Sequence, residues 1–197
     1  MFNERFKKQL DFILEIDKLK QIYRQNLVTG TKRNENDAEH SWHLAMMAIL
    51  LSEYAAEQEI NVLHVVKMVL IHDLVEIDAG DTFAYDEEGY QDKEEREQKA
   101  AHRLFNILPT DQAEEMMELW REFEAMETPE AGFAASLDRF QPLLLNYNTD
   151  GHTWKKPGVS SQKVFKRIEP ARIQAPQIWE YATDLIETSV EKGMLKR

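Results

Sequence analysis

Four side chains able to grip a metal ion stand in stretches that are otherwise apolar. His40 opens an Ala-, Leu- and Met-rich segment. His72 and Asp73 are adjacent inside Val69-Leu70-Ile71-His72-Asp73-Leu74-Val75, and Asp138 sits in Ala134-Ala135-Ser136-Leu137-Asp138-Arg139-Phe140. A packed helix favours apolar or alanine-like residues at such places, and a carboxylate buried without a partner costs several kcal/mol. One divalent cation shared by two imidazoles and two carboxylates removes that cost. The mixed nitrogen–oxygen set suits Mn²⁺, Co²⁺, Fe²⁺ or Zn²⁺ better than Ca²⁺. A metal that accepts six ligands keeps room for water and a substrate oxygen, lowers the pKa of that water and polarises a phosphoryl group. Glu76 lies one turn beyond the His72-Asp73 pair and projects to the same side, placed to orient or deprotonate the water. Asp81 follows Gly80 at the mouth of the next loop. Arg24 and the Lys32-Arg33 pair, before His40, are the available cations for a phosphate.

Each residue alone has a plainer reading: His72-Asp73 as surface composition, His40 as a helix-start residue, Asp138 as the ion-pair partner of Arg139, Arg24 as a charge ending a helix. The apolar setting and the combination with Glu76 favour a metal site. His43, one turn after His40, reads as a supporting or structural residue rather than a ligand. His64, His102 and His152 read as residues of wet segments.

The elements that must position these groups read as helices. Phe6, Leu10, Ile13, Leu14, Ile16 and Leu19 form one stripe over the first 20 residues. Asn26 to Asp37 reads as a loop, with Asp37 the N-cap of a second helix reaching Glu59. Asn61 caps a third; its valines make a strand the local competitor, but the long apolar span favours a buried helix. Ala79 to Asp92 reads as an exposed loop. Lys93 to Leu108 and Asp111 to Met126 read as charged amphipathic helices, Glu130 to Tyr147 as a helix capped at Thr128, and Asn148 to Ser161 as a polar loop. A last helix runs from Gln177 to Glu191 and closes at Gly193. The expectation is an all-α single domain over 1–197, with the motif core at about 37–150 and the C-terminal helix (about 177–192) packed on it.

Composition narrows the classes. The chain has 197 residues, no cysteine, and a formal charge of −12 from 24 basic and 36 acidic residues. Disulfides, thiolate metal sites and cysteine nucleophiles are excluded. The acidic surface repels a nucleic acid polymer but not a small phosphorylated ligand, because a metal and a few local cations can reverse the sign within one pocket. No apolar run approaches the roughly 20 residues of a membrane span, and the N-terminus lacks the pattern of a signal peptide. A cytoplasmic location is expected, with no membrane partner.

Glu39-His40-Ser41, then His72-Asp73-Leu74-Val75-Glu76, Gly80-Asp81 and Asp138-Arg139 together resemble the HD-domain metal-dependent phosphohydrolases, over about Leu19 to Ile168. The likeness is strongest to the small single-domain branch of 5'-deoxynucleotidases and HD-domain-containing proteins. The resemblance implies one divalent ion (Co, Mn, Mg, Fe or Zn) held by His40, His72, Asp73 and Asp138, and a nucleoside 5'-monophosphate as substrate. It implies that Glu76 serves the attacking water, that Asp81 helps catalysis or contacts the sugar, and that Arg24 contacts phosphate or sugar. Relatives place a glutamate near the sugar, a role open to Glu122 or Glu124. Where the deoxynucleotidase has a tryptophan after the matching arginine this chain has Gln25, so strict 2'-deoxy selectivity is not implied. The resemblance further implies a homodimer. The alternatives are another phosphorylated metabolite, a nucleoside triphosphate or signalling nucleotide as substrate, or a non-catalytic helical module with a structural metal.

Overall fold

A computed structural model describes residues 3–197. The first helix, α1 (Glu4–Ile16), is capped by Asn3, whose side chain accepts the Phe6 N–H at 2.7 Å. A tight 3₁₀ turn, Asp17–Gln21, continues it. The chain then extends where a loop was expected. β1 (Tyr23–Leu27) pairs antiparallel with β2 (Asn34–Asn36), Tyr23 opposite Asn36 and Leu27 opposite Asn34. Period-two alternation turns Arg24 and Asn26 inward on β1 and Glu35 inward on β2. Polar residues occupy the buried face, so no apolar alternation announced a hairpin.

The second helix, α2 (Asp37–Leu51), takes its cap one residue earlier than expected, at Asn36 rather than Asp37. Asn36 Oδ1 accepts the Glu39 N–H at 2.9 Å, and Glu39 Oε2 accepts the Asn36 N–H at 3.2 Å. Asp37 is thereby released into the interior, fully buried. The helix also stops well short of Glu59, closing in a 3₁₀ turn at Ser52–Tyr54. After α3 (Val62–Ile71), capped by Asn61, the winding tightens to 3₁₀ over His72–Val75 and returns in α4 (Glu76–Ala79), where Gly80 at φ 78° ends the run. The α3 segment is a helix, not the competing strand, and Val65 and Val69 are wholly buried on it.

Then follow α5 (Lys93–Phe105), α6 (Thr110–Ala125) and α7 (Pro129–Tyr147). Pro142 inside α7 has no N–H to give the carbonyl four residues back, which is that of Asp138. Two short helices that were not expected, α8 (Ser161–Ile168) and α9 (Ala171–Gln174), precede α10 (Pro176–Glu191). The fold is all-α apart from the two-stranded hairpin. Helix α3 lies at its centre, packed on α2, α6 and α7. Leu44, Val65, Met68, Val69, Phe133 and Leu137 fill the space between them with no exposed surface. Among the described residues no helix is long and apolar enough to cross a membrane.

Two segments read as loops, the first as exposed and the second as polar, are drawn inward. Residues 81–85 are half-buried, pinned by Arg96, which donates to the carbonyls of Ala79 and Gly89. The 148–160 turn is tethered by Asn146, whose Oδ1 accepts both the N–H and the hydroxyl of Thr153 at 2.9 Å, and Trp154 of this turn is 1% exposed.

The cap at Asn36 fixes the entry of the helix that carries Asp37 and His40. Asn36→Ala should therefore lower stability by about 1 kcal/mol, a fall in Tm of about 2–4 °C for a chain of this size, checked by thermal unfolding followed by circular dichroism.

Candidate metal centre

Three helical segments and the hairpin converge at one buried point. His40 comes from the first turn of α2, His72 and Asp73 from the tight turn after α3, and Asp138 from the middle of α7. One ligand atom from each of His40, His72 and Asp73 lies within 4.8 Å of the others. Asp138 joins them, its Oδ1 lying 3.0 Å from His40 Nε2 and 3.7 Å from His72 Nε2. Both imidazoles are held from behind. His72 Nδ1 donates to the Val69 carbonyl at 2.9 Å, and His40 Nδ1 donates to Gln141 Oε1 at 3.2 Å. The Gln141 amide is fixed in that sense because its Nε2 donates to Glu35 Oε1 at 2.7 Å. Both Nε2 lone pairs consequently point at carboxylate oxygens: His40 towards Asp138, and His72 towards Asp73 Oδ1 at 3.1 Å. A lone pair facing a carboxylate needs a proton or a metal cation between them, and His72 Nε2 is buried without a hydrogen-bond partner. The donor set thus fits a divalent ion, with the outer partners that orient imidazole ligands already in place.

The electrostatics make the same demand. Burial and then the neighbouring carboxylates, Asp73 first, push Glu76 up to about 10 and Asp37 to about 8. Burial carries Glu35 to about 7 despite Arg24. Burial, reinforced by the nearby Arg24 charge, brings His40 down to about 4, so it is neutral and able to ligate. Burial works against a charge on His72 too, but Asp73 and Asp138 outweigh it and raise that imidazole to about 9. Without a metal the site therefore holds protons where positive charge is wanted. A bound divalent ion reverses that logic and favours the ionised carboxylates.

Arg24 is not a free phosphate ligand. Its guanidinium donates to Asp73 Oδ2 at 2.8 Å and Asp37 Oδ1 at 3.2 Å, with Glu35 at 3.9 Å and Asp81 at 4.0 Å. It cross-links Asp73 to residues of the hairpin and of α2. Glu76 is buried, its Oε2 without a partner, and lines a cavity of about 190 Å³ together with Asp73, Asp81, Asp138 and Glu124. Of Glu122 and Glu124, it is Glu124 that faces this cavity. Glu122 is engaged elsewhere, with His64 Nε2 at 2.8 Å and the Thr128 hydroxyl at 2.6 Å. Lys32 is exposed on the turn of the hairpin and does not line the cavity, and its neighbour Arg33 pairs with Glu39 at 2.8 Å. The strand pairing of the segment, which carries the turn residues outward, separates Lys32 from the site. His43 supports it indirectly, accepting from Gln141 Nε2 at 3.2 Å.

Sequence reading missed Glu35, Asp37 and Gln141. Gln141 stands at i+3 from Asp138, on the same helix face, which was a usable signal. Glu35 and Asp37 lie in the polar run Asn34-Glu35-Asn36-Asp37, whose composition is that of a solvated turn.

The HD domain family model matches residues 16–179. The chain belongs to the HD-domain family. It is 32% identical over 143 residues to 5'-deoxynucleotidase HDDC2 of Dictyostelium discoideum, across 70% of this chain and 75% of that protein. It is 29% identical over 136 residues to 5'-deoxynucleotidase HDDC2 of Homo sapiens, across 68% of this chain and 65% of the human protein. Among solved structures, one described as a predicted metal-dependent phosphohydrolase from Magnetospirillum magnetotacticum MS-1 superposes with a TM-score of 0.93 at 52% identity, covering 98% of this chain and 96% of that one. The cyanophage S-2L HD phosphohydrolase DatZ, bound to dA and one Zn²⁺ ion, shares the HD fold at a TM-score of 0.54 and 19% identity, over 91% of this chain and 96% of that one.

Purified protein should carry about one divalent ion per chain by elemental analysis. With free metal at about 100 times its dissociation constant, linkage stabilises the fold by about 2.7 kcal/mol, so chelation should lower Tm by about 5–10 °C. His72→Ala should lose both the ion and that shift. A variant that kept its metal would remove His72 from the ligand set.

Proposed function

We propose that the protein is a metal-dependent phosphohydrolase that cleaves a phosphomonoester, with a nucleoside 5'-monophosphate as substrate and nucleoside and phosphate as products. The observation that carries this reading is the convergence of His40, His72, Asp73 and Asp138 beside a buried, unpartnered Glu76. A purely structural metal site would not need a buried, unpartnered carboxyl such as Glu76 beside it. The names of the relatives support a nucleotide substrate.

In this reading His40, His72, Asp73 and Asp138 hold one divalent ion. Bound there, it acts as a Lewis acid towards a phosphoryl oxygen and lowers the pKa of a water molecule. Glu76, at the wall of the cavity, orients the attacking water and accepts its proton. Arg24 fixes the orientation of Asp73 through its 2.8 Å hydrogen bond. Asp81 and Glu124, on the cavity wall, are placed for the sugar hydroxyls. Gln25 and Lys156, which donates to it, stand beside Arg24. Neither lines the cavity at the cluster, so neither rejects a 2'-hydroxyl there and AMP should be cleaved within about tenfold of dAMP. Such a substrate places the protein in the cytoplasm.

Glu76→Gln should lower kcat for dAMP by about 10²–10⁴-fold with metal content unchanged, measured as inorganic phosphate released alongside elemental analysis. Full turnover in that variant would take Glu76 out of the mechanism, and absence of turnover of any phosphate ester by the metal-loaded wild type would leave a structural metal module.

A homodimer is part of this reading. Helix α2 is apolar on both faces: its inner face is buried in the core, while Trp42, Met46, Ile49 and Leu50, at i, i+4, i+7 and i+8, are 64%, 37%, 53% and 64% exposed. A helix apolar all round calls for cover on every side. Light scattering should give twice the 23.1 kDa chain mass, and Trp42→Glu with Leu50→Glu should give the single mass.

A further inference from the structure

The cavity at the His–Asp cluster is lined by four cationic side chains, Arg24, Lys93, Arg139 and Arg167. Two of them are already engaged. Arg24 is held by Asp73 and Asp37, and Lys93 pairs with Glu97. The other two donate no side-chain hydrogen bond among the described residues. Arg139 Nη1 is buried and has no hydrogen-bond partner, and Arg139 makes no ion pair within 4.0 Å among the described residues, not even with the adjacent Asp138. Arg167 comes no closer to a carboxylate than 3.8 Å, from its Nη2 to Asp138 Oδ2. That distance is too long for a hydrogen bond but sets the guanidinium against the ligand cluster.

Both arginines are positioned by the helices that carry them. Asp138 and Arg139 are consecutive on α7, so about 100° of helix turn separates them. Asp138 reaches the imidazoles while Arg139 faces the mouth of the cavity. Arg167 stands on α8 between Val164 and Ile168, both fully buried, which anchor that helix against the core. The same two arginines also line an outer cavity of about 520 Å³ that carries Lys163 and Lys166 on its wall. On a chain with a formal charge of −12, this local excess of cations lies where a ligand would pass from solvent to the cluster.

We infer that Arg139 and Arg167 are the residues that bind the phosphate group of the substrate. The inference rests on the phosphomonoesterase reading and deepens it. A phosphate dianion above the cluster offers oxygens to two guanidinium groups in the fork geometry that arginine matches. It would supply the hydrogen bonds that Arg139 Nη1 lacks and that Arg167 does not find at Asp138. Arg24 cannot serve as well, since turning to a phosphate would release Asp73 and Asp37 from their shared cation. Lys32, exposed on the hairpin turn, lies outside the cavity. The phosphate is therefore gripped from the α7–α8 side, by one residue next to a ligand and one from a helix far along the chain.

The test uses the Mn²⁺-loaded protein with inorganic phosphate as the probe, titrated by calorimetry, and in parallel the KM for dAMP. Arg139→Gln and Arg167→Gln should each weaken phosphate binding and raise KM by about tenfold to a hundredfold, while metal content stays at the wild-type level. Arg172→Gln, an exposed arginine on the neighbouring α9, should change neither and controls for net charge. The Tm of Arg139→Gln should equal or exceed that of the wild type, because the substitution removes a half-buried cation whose Nη1 has no partner, and this shows that the variant folds. Wild-type affinity for phosphate in both variants would overturn the inference while leaving the hydrolase reading intact. A wild-type protein that neither binds phosphate nor turns over dAMP would overturn both.

Discussion

The structure depends on one electrostatic constraint: six carboxylates, those of Glu35, Asp37, Asp73, Glu76, Asp81 and Asp138, are gathered around the Arg24 guanidinium and two imidazoles in the interior. Taken from water, each charge loses its solvation, and like charges raise one another's energy. Arg24 compensates part of that excess. The rest is compensated by protons on groups such as Glu76 and Asp37, or by a divalent cation at the point the imidazole nitrogens face. An arrangement that holds two Nε2 lone pairs against carboxylate oxygens is unstable without positive charge between them. Everything around it is arranged to keep that geometry despite its cost.

The fold supplies the rigidity. Ligand atoms must be held to a fraction of an ångström, and packed helices do this better than loops. His40 is fixed by the capped first turn of α2, Asp138 by α7, and the adjacent His72-Asp73 by tightened winding after α3. In that turn, with the His72 Nδ1 bonded back to the Val69 carbonyl, both neighbours aim at one spot. The hairpin contributes differently. Its alternation sends Arg24 and Glu35 inward from opposite strands, where one neutralises Asp73 and the other accepts the Gln141 amide that steers His40. A segment too short and polar to contribute to an apolar core serves as a second layer around the ligands.

What could be read from the sequence follows from which signals are local. Helices α3 and α7 were legible because buried apolar faces repeat at helical spacing and Asn61 and Thr128 cap them. The four residues that cluster, His40, His72, Asp73 and Asp138, were legible because a carboxylate or imidazole within such a face is costly unless a cation or a partner meets it there. The hairpin was not, since the residues that define its inner face, Arg24, Asn26 and Glu35, are those of an ordinary solvated turn. Reading it as a loop also shifted the cap from Asn36 to Asp37 and brought Lys32 into the site from which it is excluded. Helix α8 did carry a signal, Val164, Phe165 and Ile168 at helical spacing, but over only two turns, and α9 is a single turn with one buried residue, Ala171. Distance along the chain hides Arg167, which only the three-dimensional packing of α8 on α7 brings to Asp138.

The arginines of the site divide their work, and the division follows from hydrogen-bond satisfaction. A guanidinium with several carboxylates within reach is a structural element: moving it exposes two or more buried charges at once. A guanidinium that donates no hydrogen bond in a half-buried wall contributes little to stability, and a sequence selected for stability alone would have replaced it. Arg24 is of the first kind. Arg139 and Arg167 are of the second, and they stand where the acidic interior gives way to the cavity mouth. The interior needs cations to hold its own carboxylates in place, and the mouth needs cations that are still unpaired when an anion arrives. Residues that satisfy the first need cannot satisfy the second, so an acidic protein built to receive a phosphate must carry both.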